Sequence, residues 1–112
     1  MMTNFTLVQI DFSFTMSVQE YLAMGQQVAG VVAEQPGLLW KIWPLDAEGR
    51  RAGGVYLFDN KEDAVRYVEG PIITQLPAMP GIHNVDVVIT DVAADLSAIT
   101  HAPLSRIVKQ VA

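Results

Sequence analysis

Hydrophobic and polar residues recur with two different periods along the chain, and these periods predict its elements. Residues 5–12 alternate with a period of two, which is typical of a strand. Over residues 18–33 the apolar positions follow helical spacing, and Ser17 forms a capping box with Glu20 at the start of this segment. A Pro-Gly pair at 36–37 ends the predicted helix.

The rest of the chain continues this exchange of strands and helices. A capping signal at Asp59 and Glu62 opens a second helix, which Gly70-Pro71 interrupts. A strand at 38–43 and a strand at 53–58 are joined by a hairpin turn at 46–49. The second helix with its short continuation covers 59–76, and a loop at 77–81 leads to the last strand at 83–91.

The element order β-α-β-β-α-β predicts an α+β, ferredoxin-like fold, in which two helices cover one face of a four-stranded antiparallel sheet. We expect a single domain over residues 1–112. Residues 1–92 would form the ferredoxin-like core, and residues 93–112 a C-terminal tail with a short helix that begins near Pro103 and ends near Val111.

The period of two also assigns strand residues to the two faces of the sheet. One face is wholly apolar and is expected under the helices: Val8, Ile10, Phe12, Leu38, Trp40, Ile42, Val85, Val87 and Ile89. The other face mixes apolar, aromatic and charged groups: Leu7, Gln9, Asp11, Leu39, Lys41, Trp43, Asp86, Val88 and Thr90. A mixed face is typical of a sheet packed against another subunit, so we predict a homodimer joined through its sheets, a dimeric α/β barrel.

Composition narrows the classes of partner and compartment. The chain has 112 residues, of which 51% are hydrophobic and 17% charged, with a formal net charge of −5. An acidic chain without a basic stripe predicts no nucleic-acid partner and no anionic membrane surface. The absence of cysteine excludes disulfides and thiolate chemistry, and no apolar run is long enough to span a bilayer. We expect a cytoplasmic protein.

Two motifs carry a resemblance to a known family. PGLLWKIW at 36–43 and AGGVYLF at 52–58 resemble the pattern PGFLWKxW…AGGxYLF of the YdhR-like mono-oxygenases, and Asp-Val…Leu-Ser at 91–97 also looks like that family. The resemblance covers nearly the whole chain and departs from the family pattern at Gly70-Pro71 and in the 77–80 loop. It implies a dimeric α/β barrel and kinship with small oxygenases that oxidise aromatic substrates without metal, flavin or haem.

Cofactor motifs are missing from the sequence itself. It contains no GxGxxG and no P-loop, and its two histidines do not have metal-ligand spacing. We therefore predict no cofactor and no metal. Gly53-Gly54 lies within a strand pattern, which favours a bulge or a close approach of backbones; the functional alternative is room for a planar ligand.

Two residues are candidates for catalysis. His83 shares the parity of Val85, which predicts that it faces the helices, where its imidazole would accept the proton of a phenol; a half-buried edge histidine is the alternative. Tyr67 lies on the inward stripe of the second helix, where it would serve as an alternative proton acceptor or pack in the core.

Five residues are candidates for substrate binding. Trp40 is expected to line the cavity between sheet and helices and Trp43 the dimer face; each would stack on an aromatic ligand or simply pack. Tyr21 and Tyr56 would add hydrogen bonds or belong to the core or rim. Lys41 would form an ion pair with the aspartates of its face or stabilise a phenolate or superoxide, although its expected face points away from the pocket.

Three functions are consistent with these features. The first is a cofactor-independent monooxygenase that oxidises a small or polycyclic phenol with O2. The second is a non-oxidative isomerase or cyclase on the same fold, which would form product without oxygen. The third is a dimer that binds a small apolar or aromatic ligand without catalysis.

Overall fold

The structure of the protein, a computed structural model, describes residues 5–104. Its strands are Thr6–Phe14 (β1), Leu38–Ile42 (β2), Leu45–Asp46 (β3), Arg51–Phe58 (β4) and Ile82–Asp91 (β5). Its helices are Val18–Ala33 (α1), Lys61–Glu69 (α2), Pro71–Thr74 (α3) and Ala94–Ile99 (α4), with a 3-10 turn at Leu76–Ala78. The predicted helix near residues 103–111 falls largely outside the described residues.

The sheet has the predicted ferredoxin-like arrangement. Its strands follow the order β2-β4-β1-β5, and each neighbouring pair is antiparallel. The two-residue strand β3, which was not predicted, pairs with the start of β4. The α+β fold class is therefore confirmed.

Capping residues set where the two longer helices begin. Ser17 and Glu20 form the predicted capping box of α1, with both hydrogen bonds at 3.0 Å. The second signal was placed one residue too early, because Asn60 rather than Asp59 caps α2 and accepts a bond from the Asp63 amide. Asparagine side chains cap helix N-termini as well as aspartate side chains do.

The core lies between the sheet and the helices α1, α2 and α3. Val8, Ile10, Phe12 and Phe14 of β1 are buried there, and Tyr56 and Phe58 of β4 join them, together with residues from all three helices. The opposite, outer face of the sheet carries a smaller cluster of Phe5, Leu39 and Leu57. The inner face of the sheet thus provides one wall of any site under the helices.

A bulge near the start of β2 reverses the predicted faces of its later residues. Leu38 pairs with Phe58, but Trp40 rather than Leu39 pairs with Leu57, so one residue of β2 is extra. Trp40 consequently lies on the outer face, in the cluster around Leu39 and Leu57. The predictions that Trp40 and Ile42 face the helices, and that Lys41 and Trp43 face outward, are therefore wrong.

A second bulge displaces His83 from the predicted face. Ser13 pairs with His83 and Asp11 with Asp86, so one residue of β5 is again extra, and Asn84 adopts a left-handed conformation with φ of 58°. Ser13 Oγ donates to the His83 carbonyl at 3.2 Å. The His83 side chain is exposed beside Ser13, outside the helix-side core, and the prediction that it faces the helices is wrong.

The segment after β5 packs on the outer face near β2. The indole nitrogen of Trp40 donates to the Pro103 carbonyl at 2.9 Å, and Leu104 adjoins the same cluster. The short helix α4 lies within the predicted tail, before the position where a helix was expected. Among residues 5–104, no helix is long and apolar enough to cross a membrane.

Candidate active site

A cavity of about 310 Å³ lies between the inner face of the sheet and the helices. Its walls are mostly apolar, and its lining residues come from β1, α1, β2 and the residue that follows it, β4, α2, α3 and the segment that follows α3. They are Phe12, Tyr21, Met24, Gly25, Val28, Val32, Lys41, Trp43, Gly53, Tyr56, Tyr67, Ile72, Ile73, Gln75, Leu76 and Met79. A mostly apolar cleft with a few convergent polar groups is the usual form of a small-molecule site.

Two tyrosines form a hydrogen-bonded pair in this cavity. Tyr67 Oη donates to Tyr56 Oη at 3.3 Å, and the two ring centroids are 5.2 Å apart. Burial raises the pKa of Tyr56, and the neighbouring Tyr67 raises it further; burial also raises the pKa of Tyr67. Both are therefore protonated phenols at neutral pH, which suits them to donate hydrogen bonds.

A third tyrosine closes the cavity on the α1 side. The ring of Tyr21 stacks on Phe14 at 4.9 Å and meets Phe12 edge-on at 6.1 Å. Burial raises the pKa of Tyr21, so this phenol is also neutral. Because its ring is held by two phenylalanines, Tyr21 is a fixed part of the wall.

Lys41 brings an amine among these neutral phenols. Its Nζ lies 3.2 Å from the centroid of the Trp43 ring and 4.6 Å from that of Tyr56. Among the residues the structure describes, no carboxylate forms an ion pair with Lys41, and Asp11 pairs instead with Arg51 on the outer face. Burial lowers the pKa of Lys41 to about 7.

Glycines make room for this arrangement. A Cβ at Gly54 would lie 2.7 Å from Cε of Lys41 and 2.5 Å from the ring of Tyr56. A Cβ at Gly25 would lie 3.3 Å from the Trp43 ring, so this glycine lets the indole approach α1. The adjacent Gly53 permits the close approach of the Ile10 backbone, which supports the structural interpretation of the pair.

The structure brings five of the seven predicted site residues to one place. Tyr21, Tyr56, Tyr67, Trp43 and Lys41 line the cavity. The other two, Trp40 and His83, lie outside it, for the reasons given by the two bulges.

Sequence reasoning missed one polar group at the rim. Gln75 follows α3 and lines the cavity beside Leu76 and Met79. The sequence signal for Gln75 was the Gly70-Pro71 break, since Pro71 takes the first position of α3 and Gln75 is the residue that follows this helix. Within residues 5–104, no three His, Asp or Glu side chains are grouped closely enough to hold a metal ion.

Comparison with known proteins places the chain in a family. The family model described as "Putative mono-oxygenase ydhR" matches residues 7–103. Among solved structures, a protein described as a putative antibiotic biosynthesis monooxygenase from Deinococcus radiodurans is 12% identical with a TM-score of 0.62, over 79% of this chain and 92% of that one. SnoaB, a cofactor-independent oxygenase from Streptomyces nogalater, is 15% identical with a TM-score of 0.59, over 80% of this chain and 92% of that one.

These matches differ in what they show. No curated protein matches the chain. At 12% and 15% identity, the two solved structures show that the fold is shared. The family model, in contrast, spans most of the chain and agrees with the resemblance carried by its two central motifs. The chain therefore belongs to the ydhR mono-oxygenase family.

Proposed function

We propose that this family member is a cofactor-independent monooxygenase that oxidises a small or polycyclic phenol with O2 in the cavity under the helices. The observation that carries the proposal is the lining of that cavity, which combines aromatic walls with neutral hydroxyls and one amine. Its volume of about 310 Å³ is at the lower end of the roughly 300–1,000 Å³ of small-molecule sites, which favours a compact aromatic substrate.

The reaction balances with O2 as the oxidant. The phenol gives its hydroxyl proton to a base, and the resulting phenolate supplies electrons to O2. A bond forms between a ring carbon and one oxygen atom, the O–O bond breaks, and the carbon loses its hydrogen. One oxygen atom stays on the ring as a carbonyl and the other leaves as water, so a naphthol and O2 give a naphthoquinone and water. The substrate supplies all the electrons.

Different residues of the cavity would bind different parts of the substrate. Trp43, which lines the cavity and is 37% exposed, would offer its indole to stack against an aromatic ring. Tyr56 accepts its bond from Tyr67, which leaves the Tyr56 proton for the substrate oxygen. Tyr67 therefore acts as a positioning residue for Tyr56; its raised pKa makes it a poor proton acceptor at neutral pH, contrary to the sequence-based hypothesis.

Oxygen uptake by the metal-stripped full chain tests this function. We expect uptake with 1-naphthol or with a polycyclic phenol, and one 18O atom from 18O2 in the quinone product. Trp43→Phe should lower the rate, whereas Trp40→Phe, the same change on the outer face, should leave it close to wild type. Uptake that requires added metal or flavin, or a product without 18O, would contradict the proposal. Product formed in the absence of oxygen would instead indicate an isomerase or cyclase.

We further propose that the protein is a homodimer joined through the outer face of its sheet. Leu7 and Val55 are half-buried on this face in the single chain, and Val88 is 43% exposed. On α4, the side chains of Leu96 and Ile99 are also exposed. Apolar side chains that a single chain leaves partly or largely exposed are typical of a surface that another subunit covers.

A further inference from the structure

The substrate hydroxyl needs a proton acceptor, and the two candidates expected from the sequence do not provide one. His83 lies outside the helix-side core, and Tyr67 is a neutral phenol. Among the described residues that line the cavity, Lys41 is the one with a basic side chain. We propose that Lys41 is the catalytic base, which takes the hydroxyl proton of the bound phenol and then holds the phenolate as its ammonium counter-ion. This inference rests on the proposed function for the class of its ligand.

The geometry around Lys41 suits an amine that gains a proton during the reaction. Its Nζ lies 3.2 Å from the Trp43 centroid and 4.6 Å from the Tyr56 centroid, and aromatic faces attract a cation. Gly54 of β4 leaves the space that Cε of Lys41 occupies, since a Cβ there would lie 2.7 Å from it. No described carboxylate pairs with the amine, so its charge stays available for an anion of the substrate.

The other titratable groups at the cavity do not compete for the proton. Tyr56 on β4, Tyr21 on α1 and Tyr67 on α2 all have a raised pKa and remain neutral. From the segment after α3, the cavity receives the uncharged amide of Gln75. Lys41 Nζ lies 4.6 Å from the Tyr56 ring centroid, and the Tyr56 hydroxyl accepts from Tyr67, so in the proposed complex Tyr56 would donate to the same oxyanion that Lys41 holds.

The pKa values decide which phenols this base can ionise. Lys41 has a pKa of about 7, so near neutral pH a large share of the amine is free to accept a proton, which an ordinary lysine is not. Transfer of a proton from a phenol with a pKa of about 10 to Lys41 is unfavourable by about three pKa units. The attraction between the resulting phenolate and the ammonium group a few ångströms away offsets about one to three pKa units of this cost. The site should therefore prefer phenols more acidic than tyrosine.

The ionisation of a bound chromogenic phenol tests this role without any oxidation. 4-Nitrophenol, whose phenolate absorbs at a longer wavelength than the phenol, is titrated with the full chain under anaerobic conditions. In wild type we expect the apparent pKa of the bound probe to fall by about one unit or more, which is a tenfold change in the ratio of phenolate to phenol. Lys41→Met, which keeps the length of the side chain, should abolish this shift.

Two further variants serve as controls. One tests whether the loss of any lysine changes the ionisation of the probe, and the other tests whether a positive charge at position 41 is enough without a group that can accept a proton. Lys61→Met removes an exposed lysine at the start of α2 and should ionise the probe as wild type does. Lys41→Arg keeps a permanent charge, so it should still bind the phenolate, but it cannot accept a proton and should lose turnover. A thermal melt of each variant checks that the protein is folded.

Several results would overturn the proposal. The first is that the probe ionises equally with Lys41→Met and with wild type. The second is that wild type binds the probe only as the neutral phenol, and the third is that wild type does not bind the probe at all. In turnover, kcat/KM should rise with pH through about 7 in wild type and lose this limb in Lys41→Met. If the probe ionises only when Lys41 is present but no phenol causes oxygen uptake, the proposed monooxygenase function is contradicted and the role of Lys41 as a base is not. If oxygen uptake is unaffected in Lys41→Met, the role of Lys41 is contradicted and the monooxygenase function is not.

Discussion

Lys41 occupies a position where an ammonium group loses water and gains two aromatic rings but no described carboxylate. The pKa of Lys41 is lowered because burial disfavours the ammonium form more than the two aromatic rings favour it. Such a group reduces the stability of the folded state whenever the pH forces it to be protonated. A residue that weakens the fold in this way is typical of a functional site.

The pH dependence of stability should reveal this effect. The folded pKa of about 7 lies below the ordinary value of 10.5, so between these values the unfolded chain binds more protons than the folded chain. Stability therefore rises with pH above about 7, with a limiting slope of about 1.4 kcal/mol per pH unit, and the full penalty is present below it. Lys41→Met removes the penalty and should be more stable than wild type at pH 6, by an amount that shrinks towards pH 9.

Urea unfolding of both proteins from pH 6 to pH 9 measures this difference. The raised pKa values of the three cavity tyrosines keep their titration above this range. Lys61→Met, on an exposed lysine, should follow wild type at every pH. A constant difference between Lys41→Met and wild type across the range would mean that the amine is not shifted.

Single-residue bulges in the strands determine which side chains reach the cavity. The order of the core elements follows from periodicity and caps, and apart from β3 and α4 the structure agrees with the predicted bounds to within a few residues. The faces of β2 could not be predicted in this way. In the run LLWKIW at 38–43 both the even and the odd positions are apolar except for Lys41, so either register buries apolar groups. The sequence contains only a weak indication of the bulge in β5. Asn84 adopts a left-handed conformation there, which asparagine tolerates better than most residues do.

The central strand β4 should be intolerant of a methyl group at Gly54. A Cβ there would lie 2.5 Å from the Tyr56 ring, which cannot easily move because Tyr67 packs beside it at 5.2 Å. Overpacking of this kind costs about 1–3 kcal/mol, so Gly54→Ala should lower stability by that amount and also reduce ionisation of 4-nitrophenol by displacing Lys41.

Thermal or urea unfolding checks this prediction against a matched glycine. Gly30 lies in α1, and a Cβ there would meet nothing within 4 Å. Gly30→Ala should therefore raise stability by up to about 1 kcal/mol, because alanine favours a helix over glycine. Equal effects of the two substitutions would show that the space around Gly54 is not restricted.

The two faces of the sheet have different tasks in the whole molecule. The inner face and the helices enclose the cavity, whereas the outer face holds a small cluster around Leu39, Leu57 and Trp40 and leaves other apolar side chains exposed. The described residues after β5 pack on the part of this face around Trp40, Leu57 and Leu7. The part formed by β1 and β5 is the surface on which we expect a second copy to pack.

A charge on that surface should separate the two copies. Val88 pairs with Gln9 of β1 and is 43% exposed, so Val88→Asp should leave the single chain folded but place a carboxylate in the proposed interface. Light scattering should give wild type about twice the 12.3 kDa mass of one chain and Val88→Asp a single mass. Val31→Asp, on an exposed valine of α1, should remain dimeric. A wild-type protein of single mass at micromolar concentration would contradict the dimer.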